Sequence, residues 1–182
     1  MSVDNQEYEA TYMDFSSTTV RTADASFSAD IFMRSLGSAA GIVLLYDITS
    51  WSSFEHITNK AYTYARMCNK YMGSGEDGNS CEYILVGNKK DLVKKAPEKR
   101  EVDSDVAEEW AQSQGIKHRE VCSHDAEGPH DAARELIKAI KRIRERESRD
   151  KHTQRKQERR HGTGENTVRN KIGGFIDKMK ST

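Results

Sequence analysis

Two short apolar runs stand out in a chain whose hydrophobic and polar residues are otherwise finely mixed: Gly41 to Ile48 and Tyr83 to Gly87. Each is rich in β-branched residues and ends in a polar turn, the pattern of a strand buried on both faces of a parallel sheet. Between them Trp51, Phe54, Ile57, Ala61, Tyr64, Met67 and Tyr71 recur at spacings of three and four, which predicts one long amphipathic helix with that stripe in the core. After the second run, Asp103, Ser104 and Asp105 carry helix-start signals. Val106, Ala107, Trp110 and Ala111 supply that helix's apolar face and Gly115 its stop. Ile116 to Cys122 reads as a third strand, polar enough to lie near the sheet edge. Pro129 suits the first turn of a last helix whose buried face is Ala133, Leu136, Ile137, Ile140 and Ile143. Strands alternating with helices predict an α/β fold: three layers, doubly wound, around a mostly parallel sheet.

The remaining segments are less regular. Glu9 to Phe15 reads as a strand with Tyr8, Tyr12 and Phe15 inward, followed by a hydroxyl-rich loop, Ser16 to Thr22. Phe27 to Leu36 reads as a short helix presenting Phe27, Ile31 and Phe32, and Val93 to Arg100 as a basic loop around Pro97. Glu145 to Arg160 is almost wholly charged or amide-bearing, either a solvated continuation of the last helix or disordered. Gly162 to Asn166 is expected to break it. Beyond, Ile172, Phe175, Ile176 and Met179 form a small apolar face among lysines, which suits a weak membrane-surface or partner-binding helix or a frayed terminus. The expected division is 1–40 as a divergent amino-terminal segment, 41–147 as the α/β part and 148–182 as a basic tail.

Overall neutrality conceals a division of charge. Residues 1–137 hold 14 Lys/Arg against 23 Asp/Glu, net −9, and residues 138–182 hold 15 against 6, net +9. An acidic globular part thus carries a basic tail. That tail could meet an anionic membrane, whereas nucleic acid is not favoured because the aromatic spacing of a stacking surface is missing. Cys68, Cys81 and Cys122 are odd in number and widely spaced, which points away from a disulfide framework and toward a reducing, cytoplasmic setting, peripheral at a membrane at most. The acidic start, Met1 to Glu9, argues against a signal peptide.

The candidate chemistry lies at the end of the second run, in Asn88-Lys89-Lys90-Asp91. Doubly wound sheets place ligands at the carboxyl ends of their strands. An Asp91 carboxylate there can accept two hydrogen bonds, as the N1–H and exocyclic amine of guanine require; adenine has no N1–H to offer. Lys89 can lay its stem over the base while Asn88 ties neighbouring loops together. The alternative is an ordinary polar turn with solvated lysines. A near match to a phosphate loop at Gly73 to Ser80 is rejected. It follows a helix and enters a strand, has Asn79 where lysine belongs, and carries Glu76 and Asp77, which repel phosphate.

These residues resemble the second half of a Ras-like small GTPase, over about three-fifths of the chain. Gly41 to Thr49 is similar to that family's apolar strand ending in an aspartate and a threonine. Ser53-Phe54-Glu55 is similar to the start of its next helix, and Asn88-Lys89-Lys90-Asp91 to its guanine-specificity motif. Cys122, Ser123 and His124 stand where the family has Ser-Ala-Lys, so the resemblance implies a backbone N–H from Ser123 to guanine O6, with a pairing lost at His124. A Cys-x-His pair near His130 supplies too few ligands for a metal. The resemblance implies a guanine-nucleotide-binding (GTP/GDP) signalling switch with Mg²⁺, effectors and regulators. The sequence contains no G-x-x-x-x-G-K-[ST] and no D-x-x-G within residues 1–40, only a weak echo at Arg21-Thr22-Ala23-Asp24. No phosphate-binding lysine or Mg²⁺ ligand is therefore identified, and weak nucleotide affinity with very slow or absent hydrolysis is expected. The alternative function is a non-catalytic module that keeps the fold and presents its tail to membrane or protein.

Without a phosphate-loop strand the sheet is expected to be incomplete at its amino-terminal half, leaving the strand at 41–48 with an open edge. Residues 8–15, another chain, or sequence upstream of a truncated product would fill the gap. No carboxyl-terminal Cys for prenylation is present.

Overall fold

Seven residues from Gly41 to Asp47 pair in parallel with Glu82–Asn88, which pairs in parallel with Lys117–Glu120. The computed structural model describes residues 2–14, 27–72, 81–125 and 127–179. Its elements are β1 (Ser2–Val3), β2 (Gln6–Glu7), α1 (Phe27–Ser38), β3 (Gly41–Asp47), α2 (Trp51–His56), a π-helical turn (Ile57–Ala61) and α3 (Tyr62–Met72). Then come β4 (Glu82–Asn88), α4 (Lys90–Lys95), a 3-10 turn (Pro97–Lys99), α5 (Ser104–Ser113), β5 (Lys117–Glu120) and α6 (Glu127–Met179). The chain divides into two compact units, Met1–Ile140 and Lys141–Thr182. The first holds the sheet and the candidate site.

The sheet order is β3-β4-β5, with helices on both faces as the alternating pattern predicts. On one face Leu44, Tyr46 and Leu85 pack with Phe54 of α2, Tyr62 of α3, Val102, and Ala107 and Ala111 of α5. Trp110 joins this core through edge-on ring contacts with Tyr62 at 5.2 Å and Phe54 at 6.4 Å. On the other face Ile84, Val86, Val121, Ala132 and Leu136 bring the start of α6 onto the sheet. Gly41 admits this helix: a side chain there would meet Ile140 Cδ1 at 2.9 Å and Leu136 at 3.0 Å.

Burial differs from the expectation for β3. Val43 and Leu45 are 44% and 52% exposed, so that strand is not covered on both faces. They stand in register with Ile84 and Val86, which α6 covers, but lie one strand further out. The outer edge of β3 has no partner strand among the described residues. Residues 9–14 form no strand, contrary to expectation, and Tyr12 is 69% exposed. The short antiparallel pair β1–β2 lies before them, closed through Asp4 and Asn5 at φ of 51° and 61°. Such a turn uses residue types that tolerate left-handed backbone.

The aromatic stripe also shifts. Phe54 is buried, but Met67 and Tyr71 are 53% and 72% exposed and Trp51 is 46% exposed. Instead Thr58, Tyr62, Ala65 and Cys68 are buried. The cause is the π turn, which inserts one extra residue per turn and rotates every later position relative to the core. Thr58 Oγ1 donates to Phe54 O at 2.8 Å within it. Tyr64 is not lost to packing: it stacks on Phe32 of α1 at 5.8 Å.

Other differences are smaller. Val93 to Arg100 is not a loop but α4 and the 3-10 turn; Asp91 in α4's first turn and Lys94 and Lys95 in its last suit the helix dipole. Val106 is 41% exposed rather than on the core face of α5. Gly115 ends that segment at φ 70° as expected. In the second unit helix runs through Gly162 to Asn166 to Met179, without the expected break. Glycine there weakens a helix by about 1 kcal/mol per residue and does not forbid it. The connections Ser16 to Thr22 and Gly73 to Ser80, the Arg21–Asp24 echo, Phe15, and the side chains of Phe27, Ile31, Ile172, Phe175, Ile176 and Met179 lie outside the described residues. Among the described residues no helix is long and apolar enough to cross a membrane.

Candidate functional site

The carboxyl ends of β3, β4 and β5 converge, and backbone hydrogen bonds fix the loops that leave them. Ile48 N donates to Asn88 O at 3.2 Å, Val121 N to Gly87 O at 2.7 Å, and Lys90 N to Val121 O at 3.1 Å. The loop after β4 is thereby stapled to both neighbours. Lys89 adopts φ 70°, ψ 30° before α4 begins. This left-handed step costs a non-glycine residue on the order of 1 kcal/mol or more. It turns the chain so that Asp91 enters the first turn of α4.

Asn88 holds two loops at once. Its side-chain oxygen accepts from Lys89 N at 2.7 Å and from Ser123 N at 3.1 Å. The expected tie between loops is therefore present in the geometry, through the amide oxygen. It also engages the Ser123 N–H that the sequence assigned to a base. The next amide in the turn, that of His124, makes no hydrogen bond among the described residues.

Asp91 stands beside Cys122 and His124. The neighbouring Cys122 thiol, with the charges of His124 and Lys95, holds its carboxyl below the usual carboxylate range. Asp91 is therefore ionised at neutral pH and acts as an acceptor. Asn88, Lys89, Asp91, Cys122, Ser123 and His124, singled out from sequence on two separate segments, thus form one cluster. Ser123 and His124 are exposed and Cys122 is half-buried.

Sequence reasoning missed how this cluster is braced. Asp47, at the end of β3, accepts from Thr49 N at 2.9 Å and Thr49 Oγ1 at 2.7 Å, and its other oxygen lies 2.6 Å from Lys89 Nζ. Burial raises the Asp47 pKa, but the bonds from Lys89 and Thr49 outweigh it and leave the carboxyl below its ordinary value. Lys89 is half exposed, so the pair contributes at most about 1 kcal/mol and serves mainly to aim the lysine. Ser53 closes the same corner, accepting from Asp47 N at 3.0 Å and donating to Ser50 O at 2.8 Å. A second brace joins Arg100 to Glu120 at 2.6 and 2.9 Å. No spacing rule pairs residues so far apart in sequence; the aspartate and threonine ending the apolar run were the only signal.

Among the described residues no group of three or more His, Cys, Asp or Glu could hold a metal.

Comparison with known proteins shows where the sequence has relatives. The chain is 32% identical over 87 residues to the NF-kappa-B inhibitor-interacting Ras-like protein 1 of Mus musculus, covering 48% of this chain and 39% of that protein. It is 33% identical over 104 residues to the GTP-binding protein YPTM1 of Zea mays, covering 57% and 44%. To the Ras-related protein Rab-1 of Theileria parva it is 33% identical over 103 residues, covering 57% and 41%. The chain thus spans less than half the length of these relatives. The model of the Ras family matches residues 26–142, well over half of the chain, which holds β3 to β5 and the whole Asn88–His124 cluster. This chain belongs to the Ras family.

Proposed function

We propose that the chain is a guanine-nucleotide-binding member of the small-GTPase type, reading the base through Asn88, Lys89, Asp91 and the Cys122–His124 turn, with very slow or no hydrolysis. The observation that carries the reading is the Asn88 side-chain oxygen bridging Lys89 N and Ser123 N beside an ionised Asp91. Asp91 takes the N1–H and exocyclic amine of guanine. Guanine O6 faces the Ser123–His124 turn, where His124 N–H is the uncommitted donor and Ser123 N–H is shared with Asn88. The Lys89 stem, aimed by Asp47, lies along the base. Family membership and the GTP-binding maize relative support a nucleotide and a signalling role.

Weak affinity and slow hydrolysis follow from the sequence. With no G-K-[ST] segment the chain offers no phosphate cradle, and backbone N–H groups with Mg²⁺ around the phosphates ordinarily supply much of the affinity. Titration with a fluorescent guanosine diphosphate tests the reading. Saturable binding that outcompetes the adenosine analogue and is abolished by Asp91→Ala supports it; no saturation at millimolar nucleotide refutes it. A second reading, a non-catalytic module acting through its tail, is favoured by the exposed basic side chains of Arg149, Lys151 and Lys156 on α6. Retention on anionic but not neutral vesicles, lost when residues 148–182 are removed, supports that use of the tail.

A further inference from the structure

Beneath the Asn88 loop lies a buried imidazole that the candidate site does not use. Tyr46 of β3 stands opposite Gly87 of β4, which in turn stands opposite Glu120 of β5. Because Gly87 carries no side chain, the Tyr46 ring crosses over it, and its hydroxyl reaches the next strand, 3.0 Å from His118 Nε2. The other ring nitrogen, Nδ1, lies 3.3 Å from Glu108 Oε2 on α5, and the His118 side chain is 3% exposed. A carboxylate only accepts, so Nδ1 carries the ring hydrogen and the Tyr46 hydroxyl donates to Nε2. Both ring nitrogens are thus satisfied with the imidazole neutral.

Adding a proton removes that acceptor. Nε2 then presents an N–H to the Tyr46 O–H, and the hydroxyl must turn its hydrogen elsewhere. It has little room: a methyl group at Gly87 would lie 2.7 Å from the hydroxyl oxygen and 2.8 Å from Cζ, and Phe54 packs edge-on against the same ring at 5.1 Å. Charged groups face the imidazole from α5 (Glu108), from β5 (Glu120) and from the segment before α5 (Arg100). Lys117 and Arg119 turn to the opposite face of the sheet, where they pair with Glu135 of α6. Burial disfavours the charged ring most and Arg100 adds to it, outweighing the two carboxylates, so the His118 pKa lies below its ordinary 6.5. A folded state that takes up the proton less readily than a free ring loses stability as pH falls below 6.5, until the folded value is passed. We propose that His118 is a proton-operated latch on the end of β4: neutral, it holds Tyr46 across Gly87, and its protonation frees that ring and loosens Gly87 and Asn88. These two residues staple the loops, Gly87 O accepting from Val121 N and Asn88 O from Ile48 N. The bearing of the latch on nucleotide rests on the function proposed above; its bearing on the strand end does not.

The test is native-state hydrogen exchange on the full chain at about pH 7.5 and about pH 5.5, corrected for the intrinsic pH dependence of amide exchange. Both values lie above the ordinary carboxylate values of 3.8 and 4.5, so imidazoles are the side chains that titrate between them. Protection of the Val121 and Ile48 N–H groups is expected to fall about tenfold at the lower pH, the equivalent of about one hydrogen bond. The Glu82 N–H, which donates to Ala40 O at the far end of the same two strands, changes by less than about twofold. His118→Gln offers an oxygen to Tyr46 and an N–H to Glu108 but does not titrate, so in that variant the two pH values should give equal protection. Equal protection at both pH values in the parent overturns the proposal, as does a fall that persists in His118→Gln. So does an equal fall at Glu82, because the proton then destabilises the fold as a whole. Should His118→Gln fail to fold, an NMR titration of the parent's imidazole decides. A ring with its hydrogen on Nδ1 that titrates below 6.5 supports the latch, and one that titrates at or above 6.5 overturns it. None of these readouts needs nucleotide, so a parent that binds none refutes the proposed function and leaves the role of His118 decided.

Discussion

Gly87→Ala is the most demanding test of the packing beneath the site. Gly87 is buried in β4, immediately before Asn88. A methyl group there would lie 2.7 Å from Ile48 Cγ2, 2.7 Å from the Tyr46 hydroxyl and 2.8 Å from Tyr46 Cζ. Carbon atoms in favourable contact sit about 3.5–4.0 Å apart, so something must move by the better part of an ångström. Neither neighbour has room: Tyr46 is 2% exposed and Ile48 0%. Tyr46 is also tethered, its hydroxyl 3.0 Å from His118 Nε2. Overpacking costs about 1–3 kcal/mol, and loss of that hydrogen bond about 0.5–1.5 more. A total of about 2–4 kcal/mol, with a urea slope of about 2 kcal/mol per molar, lowers the urea midpoint by about 1–2 M.

Gly115→Ala provides the contrast. Gly115 has φ 70° and open space around a built side chain, so only backbone strain of about 1 kcal/mol applies. In the Gly87→Ala background, adding Tyr46→Phe removes one of the close contacts, so it costs less there than in the parent. If Gly87→Ala costs no more than Gly115→Ala, the account of close packing under the site is wrong.

Three further outcomes follow from charge and exposure. Burial raises the Glu120 pKa, but Arg100 outweighs it; Glu120 and Asp47 are thus both held below their ordinary values of 4.5 and 3.8, and the stability they contribute is complete above those values. It is lost as pH falls through the lower folded values, so urea midpoints should drop on acidification, and less steeply in Asp47→Asn. Burial pushes the Cys81 thiol up to about 12, so at pH 8 its thiolate fraction is about 10⁻⁴ and maleimide labelling should be far slower than that of a free thiol. Leu45→Lys places a charge on the open outer strand, where the side chain is 52% exposed; the urea midpoint should change by less than the equivalent of about 0.5 kcal/mol, while light scattering at high concentration falls.

The strands were legible because a short β-branched run ending in a turn has few other folded outcomes. The structure adds the register, which places Asp47 opposite Asn88. The stripe after β3 misled because periodicity counts assume a constant 3.6-residue turn, and the π turn at Ile57–Ala61 breaks that assumption without any signal in residue type. Val43 and Leu45 misled for another reason. A run of apolar residues reports what the strand can bury, not whether a neighbour is present to cover it. In the candidate site, the residues at the end of β4 were readable from motif spacing, and those after β5 only through the family resemblance. Asp47–Lys89 and Arg100–Glu120 were not, because each joins segments brought together only by the sheet.

That pattern of bracing bears on what this three-stranded unit can do. Among the described residues, the backbone and side-chain bonds that shape Asn88, Lys89 and the Cys122–His124 turn are made within residues 47–125. None comes from residues before Gly41. The geometry of the candidate site is therefore closed, among the described residues, on three strands and the loops at their carboxyl ends. A phosphate-binding loop adds affinity by supplying N–H groups and a cation around the phosphates. On the proposed function, selectivity for guanine over adenine and affinity for the nucleotide are separable in this chain. A nucleoside without phosphates should lose little binding relative to the diphosphate, and equal weakening of guanosine and adenosine analogues by Asp91→Ala would show that the carboxylate does not read the base.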